Sequence, residues 1–377
     1  MWKLMYDEAI SQEDRDALAD FIRNTSQLTQ GPKVKEFEDN WSEWLGTKYS
    51  VFVNSGSSAN LLVVQACKDL YGSYKWGCQA CTWATNPAPI ILSGQPIQFC
   101  DVDLNTLGIS VDSFKEMVLE DNIKYLFATH ILGFPAFNEE ILNICNDCDI
   151  TILEDCCEAH GSMYKNNKVG TIGKASTFSF YYGHHITTVE GGMISTNDEE
   201  FYNHLLLLRS HGMLRSISKE SSRYIPVDGI DEKFTFLCSG YNVRNTELYA
   251  FLGMRQMKRL DVGTKQRNDN LRFYLKNLDE NKYYANLPVD GVSLFAFPII
   301  CKQSQINNVK QKLHEAKIEC RPLIAGNLFR HPMMAGLNIK KRDKFADFIH
   351  ENALYVGNHE QIGEEQIEEL VTLLNGC

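Results

Sequence analysis

Residues 49–70 read YSVFVNSGSSANLLVVQACKDL, and three patterns follow one another within them. Tyr49–Val53 is a short β-branched and aromatic run, residues 54–60 collect Ser, Gly and Asn, and apolar residues then recur at helical spacing. A strand, a small-residue turn and a helix make the first half of a βαβ unit, and the alternation repeats outward along the chain. Further strands are expected at 96–100, 125–129, 150–153, 177–180 and 193–195. From Thr246 one helical pattern runs to residue 278, too long for one packing layer, so it reads as a bridge into a second unit with FAFPII (295–300) as a strand. The expected fold is α/β: a mostly parallel mixed sheet between helices in residues 1–250, and a smaller α+β domain in residues 251–377.

Composition narrows the function. The 377 residues are 44% hydrophobic and 23% charged, which is globular and neither disordered nor fibrous. The net charge of −11 and the lack of a basic run argue against nucleic acid as a partner. No apolar stretch approaches the roughly 20 residues of a membrane span. Acidic residues appear by Asp7, so the start has no signal-peptide core, and a cytoplasmic protein is expected. Twelve cysteines without a dense spacing pattern point to a reducing compartment. Cys78 with Cys81 and Cys145 with Cys148 have two-residue spacing, but neither pair has a metal-knuckle context, so core thiols are expected and no metal.

Three segments can carry chemistry. In NSGSSAN, Ser55, Gly56, Ser57 and Ser58 open a helix whose free N–H groups attract an anion, although a plain capped helix reads as well. In ITILEDCCEAHGS an apolar strand ends on Glu154 and Asp155, with Glu158 and His160 following, where open α/β sheets place ligands. Taken alone, that segment also reads as a helix N-cap by Asp155. In TFSFYYGHHITTVEGGMISTND, neighbouring histidines in extended chain point to opposite sides, so one of them acting as acid or base is the economical reading.

In this order, GPKVKEFEDNW, VNSGSSAN, GQPIQFCDVD, THILGFPA, LEDCCEAHG, FSFYYGHHITTVEGG, RSHG and GYNVRNTELYAFLGMRQMKRLD resemble the sugar aminotransferases of pyridoxal-phosphate fold type I, across nearly the whole chain. That family aminates nucleotide-linked ketosugars, and where FSFYYG ends it carries a lysine that binds the cofactor aldehyde covalently. Here that position is His184. An imidazole cannot make that bond, so the resemblance implies pyridoxal or pyridoxamine 5′-phosphate held noncovalently, and a base with a pKa near neutrality moving one proton. Histidine at this position marks two branches of 3-dehydratases. One acts on a GDP-linked 4-keto-6-deoxy sugar, and CRPLIAGNLFRHP and ALYVGNHE resemble its C-terminal motifs. The other is CDP-linked and holds an iron–sulfur cluster. Beyond Cys157 only Cys238, Cys301, Cys320 and Cys377 remain, all far apart, so the cluster-free branch is favoured.

The resemblance assigns roles residue by residue. Asp155 pairs with the pyridine nitrogen. Gly56 and Ser57 contact the phosphate from the helix start, with the Ser179 hydroxyl opposite. Trp83 stacks on the ring, Glu158 stands where aminotransferases commonly have Gln, and Asn242 reaches the phosphate of a neighbouring subunit, which implies a homodimer. His211, Arg321, Asn327 and Arg330 are candidates for substrate contacts. The implied reaction removes the C3 hydroxyl of a 4-keto-6-deoxy sugar, with L-glutamate restoring the amine form of the cofactor, in the synthesis of a dideoxy sugar for a lipopolysaccharide or O-antigen. Two alternatives stand beside it: a 4-aminotransferase tolerating His for Lys, and a non-catalytic cofactor-binding subunit. Nothing in the residues reads guanine, or a six-carbon against a seven-carbon sugar.

Overall fold

The computed structural model describes residues 2–377. β1 (Tyr49–Val53), β2 (Trp76–Gln79), β3 (Ile97–Cys100), β4 (Tyr125–Thr129), β5 (Thr151–Asp155), β8 (Ala175–Ser179) and β9 (Gly192–Thr196) form a seven-stranded sheet in the order β1-β9-β8-β5-β4-β2-β3, and β6 (Met163–Tyr164) pairs with β7 (Asn167–Lys168) as a small hairpin. β9 runs antiparallel to both β1 and β8, while the other neighbours are parallel. The expected strands are all present. β2 went unread because WGCQ is four residues, wholly buried and without alternation. β5 continues to Asp155, and no helix starts there, which corrects the N-cap reading: Asp155 is the buried last residue of a strand, not a cap.

Helices cover the sheet because its parallel strands are buried on both faces. The helix Gly56–Tyr71 begins directly after β1, capped by the Ser55 hydroxyl, which accepts from Ser58 N at 3.0 Å. Glycine at 31 offers no side-chain cap to the helix Pro32–Leu45. The Glu247 carboxylate does this work from more than 200 residues away in sequence, accepting from the N–H groups of Gly31, Lys33 and Val34 at 2.8–2.9 Å. Trp41 of that helix packs edge-on against Phe178 and Phe180, and Phe37 against Phe52. All five rings are fully buried, each contributing on the order of 2 kcal/mol.

The helix Glu247–Asn277 leads to a second sheet, β10 (Ala296–Ile300), β12 (Ala353–Gly357) and β11 (Cys320–Pro322), antiparallel in the order β10-β12-β11. We propose residues 1–250 and 251–377 as the two domains. That division falls in the first turn of the long helix, and Trp2 docks on the smaller sheet by donating from Nε1 to Gly357 O at 2.9 Å. Among the described residues no helix is long and apolar enough to cross a membrane. Cys78, Cys81 and Cys145 are buried, and burial pushes the Cys81 and Cys145 thiols up to about 12, so they pack as neutral groups; Cys148 is exposed.

Candidate active site

A cleft of about 290 Å³ opens at the C-terminal ends of β4, β5 and β8, where a parallel sheet presents its loops. The smaller sheet closes it from the opposite side with Ala296, Arg321 and Tyr355. Gly56, Ser57, Trp83, Asp155, Glu158, Ser179, His184 and Arg321, all expected at the site, line this one cavity.

Two close approaches build the wall under the helix start. A Cβ on Gly192, the first residue of β9, would lie 2.3 Å from the Ser55 carbonyl oxygen, and a Cβ on Gly56 would lie 2.7 Å from Ser179 Cβ. Glycine at both positions lets strand, helix start and Ser179 converge, with the amides of Gly56 and Ser57 at the positive end of the helix. Asp155 is 4% exposed, and its carboxylate is fixed by three donors: Asn60 Nδ2 (3.0 Å) and Asn86 Nδ2 (2.7 Å) on Oδ2, and Cys157 N (2.9 Å) on Oδ1. Sequence reasoning missed both asparagines, because they lie 95 and 69 residues away and no spacing links them.

Glu158 Oε2 accepts from Leu132 N at 3.0 Å. Burial, with the nearby Asp155 charge, pushes its carboxyl up to about 8 against the opposing Leu132 amide. At neutral pH it is therefore a protonated donor, the closest acidic mimic of the glutamine usual there.

His184 and His185 sit in a bend after β8 rather than in extended chain, so strand alternation does not separate them: both rings pack beside His160 and Phe295, and only one lines the cleft. His184 lines the cleft and His185 does not; His185 is 6% exposed and its Nε2 lies 3.1 Å from the Ser293 carbonyl. Burial pushes His184 down to about 4, opposed by the Asp155 charge and by the Cys157 carbonyl, which is near without making a hydrogen bond. This corrects the expectation of a near-neutral pKa. The neutral imidazole at pH 7 is ready to accept a proton, and once protonated it is a strong donor. His160 and His185 are also held low, chiefly by burial. Groups of this kind favour the folded state above their ordinary pKa near 6.5, and that contribution is lost as pH falls towards 4. The cofactor-free protein is expected to lose melting temperature over that window, and His184→Phe to flatten the fall, as measured by calorimetry.

Four residues lie elsewhere. Asn327 is fully buried and its amide nitrogen bonds Asp343 (2.7 Å) and Asp347 (2.9 Å). Arg330 forms a two-pronged pair with Asp347 (2.6 and 2.7 Å) and a third bond to Glu351 (2.6 Å). Both are engaged in the packing of the helix Lys344–Asn352, outside the cleft, so neither is placed to contact substrate there. His211 and Asn242 also lie outside this chain's cleft but beside each other: Ser210 bridges Asn242, and His211 N donates to Tyr241 O at 2.6 Å.

The one grouping of candidate metal ligands among the described residues is His130, Glu154 and Cys156. Its chemistry is already satisfied. His130 Nδ1 accepts from Ala136 N, so its Nε2–H faces Glu154 at 3.2 Å. Glu154 also accepts from the amides of Gly170, Ile172 and Gly173, which makes it a loop anchor.

Comparisons with known proteins agree with this geometry. The chain is 34% identical to GDP-4-keto-6-deoxy-D-mannose 3-dehydratase of Escherichia coli over 90% of this chain and 91% of that one. A crystal structure of a GDP-4-keto-6-deoxymannose-3-dehydratase mutant with bound GDP-perosamine superimposes with a TM-score of 0.93 at 31% identity, covering 99% of this chain and 100% of the other. A second crystal structure of that enzyme, with a trapped PLP–glutamate geminal diamine, matches with the same TM-score of 0.93, identity of 31% and coverage of 99% and 100%. The model of the DegT/DnrJ/EryC1/StrS aminotransferase family matches residues 8–375, and the chain belongs to that family.

Proposed function

We propose that this protein is a pyridoxal/pyridoxamine-phosphate-dependent 3-dehydratase, removing the C3 hydroxyl of a GDP-linked 4-keto-6-deoxy sugar to give a 4-keto-3,6-dideoxy sugar. One observation carries the reading: His184 stands in the cleft where the family's lysine is expected, and no lysine lines that cleft among the described residues. A cofactor there has no amine to tether it, so every hold on it must be noncovalent.

The residues suit such a group. The Gly56 and Ser57 amides and the Ser179 hydroxyl would hold a phosphate, Asp155 a ring nitrogen, and Trp83, 54% exposed at the rim, a ring face. When bound, the cofactor supplies an amine and an electron-accepting ring. The protein supplies the rest. Neutral His184 takes a proton and, as imidazolium, returns it to the departing C3 hydroxyl; protonated Glu158 donates a hydrogen bond beside Asp155; Arg321, the one cationic side chain lining the cleft among the described residues, faces an anionic part of substrate or glutamate.

Asn242 and His211 complete the site only if a second copy brings them, and a homodimer follows. Phe234 (62%), Phe236 (56%) and Tyr241 (36%) are exposed on the same segment, an apolar surface suited to such a contact. The all-thiol cysteines suit the cytoplasm, and a dideoxy-sugar polymer such as a lipopolysaccharide O-antigen is the proposed destination.

Product analysis tests the reading. With cofactor, glutamate and a panel of 4-ketosugar nucleotides, the expected products are ammonia and a dideoxy ketosugar. An amino sugar would instead make it an aminotransferase, and binding without turnover a silent subunit. Glu158→Gln is expected to keep activity at pH 7 within a few fold while abolishing the alkaline fall centred near 8 in the pH–rate profile, because the amide donates at every pH.

A further inference from the structure

Behind the His184 imidazole lies a second cavity, about 20 Å³, large enough for one ordered water. It shares Leu4, Gly183, His184 and Phe295 with the cleft, and its other walls include His185, Gln256, Arg267 and Asn358. His184 is the one titratable side chain between the two spaces. Of the three histidines lining the smaller one, His184 and His185 keep Nδ1 buried with no hydrogen-bond partner in the protein, while His359 does not. Buried polar groups are satisfied in more than nine cases in ten, and an orphan costs about 1–3 kcal/mol. Arg259, also on this wall, has a buried Nε without a hydrogen-bond partner, so three orphans border one polar cavity, and the two imidazole nitrogens among them call for a group that serves both.

We propose that a water in this rear cavity bridges Nδ1 of His184 and Nδ1 of His185, making His185 the positioning residue that sets the tautomer of the catalytic imidazole. The direction of the chain follows from its far end. The Ser293 carbonyl can only accept, so His185 Nε2, 3.1 Å away, carries the proton of the neutral ring, and His185 Nδ1 can only accept. The water therefore donates one hydrogen to His185 Nδ1, and we assign its oxygen as the acceptor of Nδ1–H of His184. A neutral imidazole protonated on Nδ1 has its lone pair on Nε2, the nitrogen left for the cleft. Many catalytic histidines are oriented by a carboxylate on Nδ1. Here a carbonyl, an imidazole and a water do so without a negative charge, and the buried Arg267 cation beside them disfavours a proton on any of these rings. His160 does not line this cavity; its ring packs among Trp41, Phe178 and Phe180 and lies 5.0 Å from the His185 ring and 6.2 Å from that of His184.

The inference rests on His184 being the base, and its test is read without cofactor or substrate. In full-length protein carrying ¹⁵N-labelled histidine, NMR is expected to show His184 as the Nδ1–H tautomer. His185→Phe, which fills the ring space but accepts nothing, should give mixed tautomers, and His185→Asn, whose amide oxygen can replace Nδ1, should restore the Nδ1–H form. In turnover, His185→Phe should lower kcat roughly tenfold at unchanged KM, about 1.4 kcal/mol in the barrier, with His185→Asn recovering most of it. Wild-type His184 protonated on Nε2, or a tautomer indifferent to His185→Phe, would overturn the proposal. If His185→Phe does not fold, the wild-type and His185→Asn spectra still decide. The tautomer as stated without dehydratase turnover would sink the function and leave the relay standing.

Discussion

His184→Asn is expected to lower dehydration on the order of 10²–10⁴-fold, the usual worth of a positioned acid or base, while cofactor binding changes little. The asparagine keeps a polar group at the cleft wall but has no lone pair basic enough to take a carbon-bound proton. His184→Lys should go further in a diagnostic direction: a lysine is placed where the family's amine stands, so borohydride should fix cofactor to protein while dehydration is lost. Retention of full turnover by His184→Asn would show that another group is the base. His185→Asn supplies the comparison, since that side chain lies outside the cleft and its amide can serve the same acceptor role.

Asp155→Asn carries the second large effect. Its carboxylate is the one the structure fixes by three donors at the floor of the cleft, two of them side-chain amides that can only donate through nitrogen. An amide at 155 loses the negative charge and turns an N–H towards a partner N–H. The expected loss of turnover is about 10²–10³-fold, the scale for removing one preorganised electrostatic group. Weaker cofactor binding in an absorbance titration and a lower melting temperature should accompany it, because an Asn86 amide or Cys157 N–H left without an acceptor costs about 1–3 kcal/mol. Wild-type affinity and turnover in Asp155→Asn would remove this residue from the reaction.

Much of the site was legible because its parts are local. The strand at Tyr49–Val53, its serine-rich turn and the helix after it lie within one stretch. The two-residue alternation expected at His184 and His185 does not apply, because they sit in a bend after β8 and both line one small cavity. Asn60 and Asn86 were illegible for the opposite reason: their meeting with Asp155 depends on which strands end side by side. Asn327 and Arg330 were candidates because they share a motif with Arg321 and arginine suits bidentate phosphate binding, and their carboxylate partners were not legible in that motif. In the folded chain, the helix Lys344–Asn352 brings Asp347 to both first. The short, fully buried β2 gave no periodic signal to read.

What the amino-acid order determined by itself is the succession of strand and helix, the serine- and glycine-rich turn, and an imidazole where the family carries an amine, since spacing along a covalent chain fixes these. Tertiary structure decided which side chains share the cleft, that Glu158 holds its proton to about 8 and that His184 sheds its own down to about 4. Desolvation and partner charge set those last properties, and both belong to the surroundings that distant parts of the chain bring to a group rather than to the group's neighbours in sequence.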